Sequence, residues 1–305
     1  APSGDTPAPR SIAEAVSEFA HANLAIISTP GAYATAEALK ALKRGLHVFI
    51  FSDNVPVADE VELKRLAVKK KLLVMGPDCG TAILDGVPLG FANAVRRGPI
   101  GLVGASGTGL QEISCLVDRL GEGCSQVIGV GGHDLDERVG GLMMQAGIER
   151  LAADPGTRVI VLVSKPPAPA VARRVLDVAR KSGKPVVVTF LGGDPAAIRG
   201  AGAIPAATLE DAARAAVAIV RGKRVAAAPL ADVPKLAAAW RPKARRFGKS
   251  QSLVRGLYSG GTLCQEAALI LEEAGGQKHT TVDLGDDEFT VGRPHPMIDF
   301  RLRNE

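Results

Sequence analysis

Two short stretches of this 305-residue chain carry serine, threonine and glycine at spacings that suit an anion. The first is Ile100–Glu112, IGLVGASGTGLQE, where an apolar run meets Gly-Ala-Ser-Gly-Thr-Gly and a helical pattern follows at once. A strand, a tight turn and a helix start leave backbone N–H groups free at the positive end of the helix dipole, where a phosphate is favoured. The second stretch is Val254–Glu266, VRGLYSGGTLCQE, 154 residues further on. Gly107, Thr108, Gln111 and Glu112 fall on Gly261, Thr262, Gln265 and Glu266 without a gap. The repetition predicts two phosphate-facing helices, with Ser106, Gly107 and Thr108 on one and Gly260, Gly261 and Thr262 on the other. For a single such stretch the competing reading is an ordinary glycine turn with a Ser/Thr cap.

Four further residues fit a role beside such an anion. Lys165 follows an apolar run and precedes Pro166-Pro167, which places a cation at a loop entry; its bland reading is an exposed lysine. His133 follows two glycines at a strand end, where an imidazole can polarise a carbonyl or move a proton, with Asp134 to orient it; the bland reading is a capping histidine. Arg293 and His295 lie in Gly-Arg-Pro-His-Pro, a stiff segment preceded by Asp286, Asp287 and Glu288. Arginine is the natural bidentate partner of a carboxylate, and a structured polar loop is the alternative.

The elements that must position these residues read as repeating αβ units. Ile12–Ala22, Ala34–Arg44 and Ala58–Lys71 are predicted helices, separated by strands at Leu24–Ser28, His47–Ser52 and Leu72–Met75. A second block predicts strands at Ile100–Gly104, Ser125–Gly129, Val159–Val163 and Val186–Phe190. Its helices are predicted at Leu110–Leu120, Gly140–Ala152, Ala168–Ser182 and Leu209–Val220. This alternation predicts parallel sheets with right-handed crossovers, the second block as a flavodoxin-like doubly wound domain that binds ligands at the carboxyl ends of its strands. Residues 1–10 read as a linker. The first block spans 11–95, the second 96–222, and a basic linker fills 223–250. The third block, 251–305, opens with a strand, the second glycine stretch and a helix at Leu263–Ala274, and reads as an incomplete αβ domain. The expectation is an internal piece of a longer protein, lacking structure at both ends.

Composition narrows the class. Hydrophobic residues make up 46% of the chain and aromatics 4%, with 35 glycines, which suits a parallel α/β protein. No apolar run reaches the roughly 20 residues of a membrane helix, and no secretory leader is seen. The cysteines Cys79, Cys115, Cys124 and Cys264 lack metal-ligand spacing and read as reduced thiols of a cytoplasmic protein. The net charge of +5 is local: Arg221–Ser250 holds nine basic residues against Asp232 alone. With little aromatic interleaving beyond Trp240 and Phe247, that segment argues against nucleic acid and for an acidic partner surface.

Taken in order, Met75-Gly-Pro-Asp-Cys-Gly80, the Gly-Ala-Ser-Gly-Thr-Gly turn, Gly129-Val-Gly-Gly-His133, Gly183-Lys-Pro-Val-Val187 and Ala201-Gly-Ala-Ile204 resemble the succinyl-CoA synthetase alpha subunits over nearly the whole chain. Gly80-Thr-Ala-Ile83, Arg255–Gln265 and LGDDEFTVGRPHPMID resemble the FdrA-like branch, long described as acyl-CoA synthetases. The resemblance implies that the first block is the back half of a Rossmann-like CoA-binding domain, that Cys79 stands near the thiol end of CoA, and that partner subunits complete the enzyme. By its residues alone, Cys79 reads as a small buried side chain beside a turn.

Two departures bear on the activity. The phosphohistidine position of the synthetases is Gly200 here, in Arg199-Gly-Ala-Gly-Ala-Ile204, and the strand that carries their orienting glutamate ends Val163-Ser164-Lys165. A ligase that works through phosphohistidine cannot run on these residues. The FdrA-like resemblance instead implies phosphate-dependent carbamoyl or acyl transfer, interconverting oxalurate plus phosphate with oxamate plus carbamoyl phosphate, a small ureido or carboxylate substrate. The alternatives are an acid–CoA ligase subunit that uses CoA without phosphohistidine, and a non-catalytic subunit sensing CoA or phosphate.

Overall fold

The computed structural model describes residues 8–224, 232–248, 253–274 and 278–290, together with 251, 296, 298, 299 and 301. Arg293 and His295 fall outside the described residues.

Three short parallel strands form the first sheet: β1 (Leu24–Ile27), β2 (His47–Ile50) and β3 (Val74–Met75), in the order β1-β2-β3. Helices α1 (Ile12–Glu18), α2 (Gly31–Lys43) and α3 (Val57–Lys70) alternate with them. Ser11 caps α1 by accepting the Glu14 N–H, and the helix ends at Glu18, four residues short of the predicted Ala22. Beyond Phe19 the His21-Ala22-Asn23 segment has no apolar face to bury, and α1 itself contributes no buried residue.

The second sheet has seven strands. It begins with a hairpin, β4 (Thr81–Leu84) and β5 (Val87–Gly90), which the strand signals did not predict. Asp85 and Gly86 adopt φ of 50° and 83°, the paired left-handed conformation of a two-residue hairpin turn. Gln126 clamps that turn from both sides: its Oε1 accepts the Asp85 N–H and its Nε2 donates to Asp85 Oδ1, each at 2.8 Å. The hairpin pairs antiparallel with the doubly wound core strands through Ile83 and Val127.

Those core strands are β6 (Arg97–Gly104), β7 (Cys124–Gly129), β8 (Val159–Ser164), β9 (Val186–Phe190) and β10 (Ile204–Pro205), and the full order is β10-β9-β8-β6-β7-β4-β5. Without the hairpin this is the flavodoxin-like order, as the sequence predicts. Helices α4 (Gly107–Arg119), α5 (Leu142–Ala153), α6 (Pro169–Lys181), α7 (Pro195–Gly200) and α8 (Leu209–Val220) connect the strands. All six residues of β8 are buried, which a β-branched and leucine run achieves only between two covered faces. The start predicted for α5 moves from Gly140 to Leu142, because Gly140 and Gly141 take φ of 81° and 74°.

One apolar core runs through both sheets. Phe49, Leu63 and Val74 of the first block pack in a single cluster with Met143, Met144 and Ile148 of α5, and the Val74 N–H points at the Met143 sulfur at 3.2 Å. A second core, on the other face of the seven-stranded sheet, gathers Leu110, Ile113, Val117, Val161 and Ala212 under α4 and α8.

Within the basic linker, Val233–Ala244 is helical (α9). Its prolines had masked it in the sequence. Pro234 sits in the first turn, where no N–H is needed, and Asp232 caps the helix by accepting from Lys235. The last unit is β11 (Val254–Tyr258), α10 (Gly261–Glu273) and β12 (His279–Asp283), two parallel strands and their crossover helix. No described helix is long and apolar enough to cross a membrane.

Candidate functional site

The two glycine loops meet. Each lies between the carboxyl end of a parallel strand and a helix N-terminus, β6 into α4 and β11 into α10. Ser106 is 6% exposed. It caps α4, its Oγ accepting the Gly109 N–H at 2.9 Å, and the same Oγ lies 2.5 Å from Thr262 Oγ1. Opposite, Thr108 packs on Gly260 so closely that a Cβ there would stand 2.8 Å from the Thr108 hydroxyl. Because 106 aligns with 260 and 108 with 262, the contacts 106–262 and 108–260 exchange under a local two-fold.

Lys165, the residue after β8, reaches the same place. A Cβ on Gly261 would lie 2.6 Å from Lys165 Nζ and 2.9 Å from Asp283 Oδ2, so the ammonium and that carboxylate both border the second loop. Asp283 Oδ1 accepts the Gly285 N–H at 3.0 Å. Lys165 leaves β8 and Ser106 leaves β6, two neighbouring strands whose neighbours on either side run to opposite halves of the sheet. Ligands bind at that reversal in folds of this kind. Two helix N-termini of about half a positive charge each, facing one another, repel unless an anion lies between them. The structure thus brings together seven of the predicted site residues: Ser106, Gly107, Thr108, Lys165, Gly260, Gly261 and Thr262.

His133 belongs to a different neighbourhood. It faces the first block, its Nδ1 3.4 Å from Glu60 Oε2. Asp134, the predicted orienting residue, does not hold it. Its carboxylate is fully buried and turned the other way, with Oδ1 on Lys64 Nζ at 2.9 Å and both oxygens accepting the Met143 and Met144 N–H groups that open α5. Lys64 also donates to Glu60 Oε1 at 2.7 Å and to the Val130 carbonyl at 2.8 Å. Burial pushes the Glu60 carboxyl up, but His133 first and Lys64 next outweigh it and hold the group below its ordinary value. The Glu60 carboxylate facing it raises His133 above the ordinary histidine value, against a smaller opposing effect of burial. The sequence reading missed Glu60 and Lys64. The signal was a charged pair at i, i+4 lying on the buried stripe of α3, which also carries Leu63 and Ala67.

Cys79 is 2% exposed and turns its sulfur toward the Thr81 carbonyl at 3.6 Å. Burial pushes its thiol up to about 12, so the group carries no thiolate at neutral pH. The other described histidines stand away from the loops: His21 lies in the turn after α1, His47 accepts the Leu73 N–H, and His279 opens β12 at the end opposite Asp283. At Gly200 a Cβ would meet nothing within 4 Å.

Comparison with known proteins agrees with the resemblance drawn from the motifs. Residues 95–192 match the CoA binding domain family, and residues 257–304 match the CoA-ligase family. The chain is 46% identical to the uncharacterized protein YahF of Escherichia coli over 94% of its own length and 59% of that protein's. It is 31% identical to the succinate–CoA ligase [ADP-forming] alpha subunit of Methanothermobacter thermautotrophicus, over 50% of the chain and 52% of the relative. The chain thus spans between half and three fifths of the length of these relatives. Among solved structures, ATP citrate lyase of Methanothrix soehngenii in complex with citrate and coenzyme A covers 75% of the chain, with a TM-score of 0.59 and 19% identity over 45% of its own length. The dinucleotide-forming acetyl-coenzyme A synthetase 1 of Ca. Korarchaeum cryptofilum covers 84%, with a TM-score of 0.53 and 20% identity over 56% of its own length. At those identities the likeness is one of fold.

Proposed function

We propose that this chain, a relative of the succinate–CoA ligase alpha subunits, is a component of an enzyme that transfers a carbamoyl or acyl group to and from a phosphate held between its two glycine loops. The observation that carries this reading is the convergence of two helix N-termini and the Lys165 ammonium on one point. In the reaction, a phosphate oxygen attacks the ureido carbon of oxalurate. The bond from that carbon to the oxamate nitrogen breaks, the nitrogen takes a proton, and carbamoyl phosphate leaves. The chemistry needs a placed phosphate and a stabilised oxyanion. The backbone N–H groups of Gly107, Thr108, Gly261 and Thr262 and the Thr108 hydroxyl serve the phosphate, Lys165 offsets its charge, and Arg293 with His295 takes the substrate carboxylate. No phosphohistidine is involved, in keeping with glycine at position 200. Partner subunits, or further parts of a longer chain, complete the enzyme.

The match of residues 95–192 to CoA-binding domains and of 257–304 to CoA ligases favours a second reading, an acid–CoA ligase component. Here the phosphate between the loops is that of an acyl phosphate, and CoA thiolysis follows. Cys79 then lines the CoA end as a buried thiol.

The deciding experiment supplies the full-length protein and its natural partners with carbamoyl phosphate and oxamate, without nucleotide or CoA, and follows phosphorus by NMR. Oxamate-dependent phosphate release supports the transferase, and Thr108→Val is expected to abolish it while leaving assembly intact. No release, together with ADP formation from ATP, CoA and an acid, selects the ligase.

A further inference from the structure

A chain of charge crosses the boundary between the first sheet and the second. It starts at the N–H groups of Met143 and Met144, passes through Asp134 to Lys64, continues to Glu60, and ends at His133. Asp134, Lys64 and Glu60 are at most 1% exposed, whereas the His133 side chain is 59% exposed. Burying ions costs several kcal/mol each unless they are paired, and an apolar replacement is often as stable. The three buried groups are two carboxylates and one ammonium, a net charge of one negative that the N-terminus of α5 offsets only in part through Asp134. Glu60 Oε2 has no hydrogen-bond partner, and the group that faces it is His133 Nδ1. A protonated imidazole is what balances the cluster.

We propose that the buried cluster of Glu60, Lys64 and Asp134 exists to hold a proton on His133, and that His133 is an anion-binding proton donor at the junction of the first block with the β7–α5 loop. The ring keeps its Nδ1 proton on Glu60 and offers the proton on Nε2 to an oxyanion, a carboxylate or a phosphate. After donation it remains as the neutral Nδ1–H tautomer, still facing Glu60, so one proton moves and no other bond changes. The loop carrying His133 is fixed against Met75-Gly-Pro-Asp78: Gly131 sits on the Gly76 backbone and the Pro77 carbonyl, too close for any side chain. The charged groups around the ring are Glu60 and Lys64 from α3, Asp78 from the loop after β3, and Asp136 on its own loop, which Arg138 already engages. Asp78 adds to the field that favours the imidazolium, and Lys64 opposes it. None of the glycine-loop residues takes part, so the assignment does not rest on the phosphate reading above.

The test is the titration of the His133 ring by NMR in the full chain, with and without inorganic phosphate as the probe. The expected midpoint lies above the ordinary histidine value of about 6.5, and Glu60→Gln brings it down. Below the midpoint, phosphate shifts the His133 signal saturably, and the response falls about tenfold above it and in the Glu60→Gln chain. Lys165→Ala leaves this response intact while removing phosphate from the glycine loops, so each reading can fail without the other. Should Glu60→Gln not fold, the ring nitrogen shifts of the unmodified chain settle the same point, because an imidazolium and either neutral tautomer differ there. A midpoint at or below the ordinary value, a midpoint unmoved by Glu60→Gln, or a His133 signal indifferent to phosphate overturns the proposal. Stability carries the same signature. With the folded value raised, the contribution of the pair is complete below about pH 6.5 and is lost as pH rises through the folded midpoint. Glu60→Gln flattens that dependence.

Discussion

The two glycine loops share a register in sequence and a contact in space, but they rest on very different foundations. The first opens α4, where Leu110, Ile113 and Val117 are all fully buried against the seven-stranded sheet. The second opens α10, where Thr262 is the buried residue and the aligned positions hold Cys264, Ala267 and Leu271, none of them buried. Their caps differ too. Ser106 takes up one N–H of α4, whereas Gly260 offers α10 no side chain and leaves its first N–H groups to be met by something else. The same loop sequence therefore produces a rigid half and a half that depends on its partner. What the second loop lacks in packing it regains where Thr262 and Gly260 touch the first, and through Glu266, whose Oε1 accepts the Leu209 N–H at 2.6 Å, and Gln265, whose Nε2 donates to the Leu191 carbonyl at 3.3 Å.

The largest consequence is in stability. Leu110→Ala removes a fully buried side chain and is expected to cost about 2–5 kcal/mol, read by chemical denaturation. Cys264→Ala at the matching place on α10 should cost under about 1 kcal/mol, and comparable losses at the two sites would break the contrast. A smaller effect follows at the caps. Ser106→Ala loses both the Gly109 cap and the Thr262 contact, for about 0.5–2 kcal/mol. Gly260→Ala removes no cap and instead drives a methyl into Thr108. Its expected signature is loss of phosphate-dependent thermal stabilisation with little change in the unliganded melting temperature. Thiol labelling sharpens the comparison without disturbing either loop. Cys124, at the start of β7 in the core beneath α4, is pushed up to about 12 by burial. It should stay unalkylated at pH 8, like Cys79, while half-buried Cys264 on α10 reacts. Equal labelling of Cys124 and Cys264, counted by mass spectrometry, would mean that the first half is no more rigid than the second.

The sequence made the doubly wound sheet legible because β8 and β9 are nearly continuous β-branched runs and β6 and β7 end in glycine. The glycine loops were legible because the same spacing occurs twice. The hairpin was not, since β4 and β5 have four residues each and Val87 and Pro88 are both exposed, leaving no alternation to detect. Only Asp85-Gly86 pointed to it. The partner of His133 was hidden for another reason. Glu60 lies 73 residues away on a helix of the preceding unit, and local spacing favoured Asp134, which the fold spends on Lys64 and the start of α5. Pairing across units is a property of packing, and a residue pattern on one element does not contain it.

The hairpin also decides where the chain can be divided. Its residues precede the core strands in sequence but cover the flank of β7 in space. A fragment that begins at residue 96 would expose that flank as a bare row of N–H and C=O groups, ready to recruit a strand from another molecule. A fragment that keeps Thr81–Gly90 carries its own edge cover. For anyone dissecting or fusing this protein, the two cuts are expected to differ in solubility before they differ in activity.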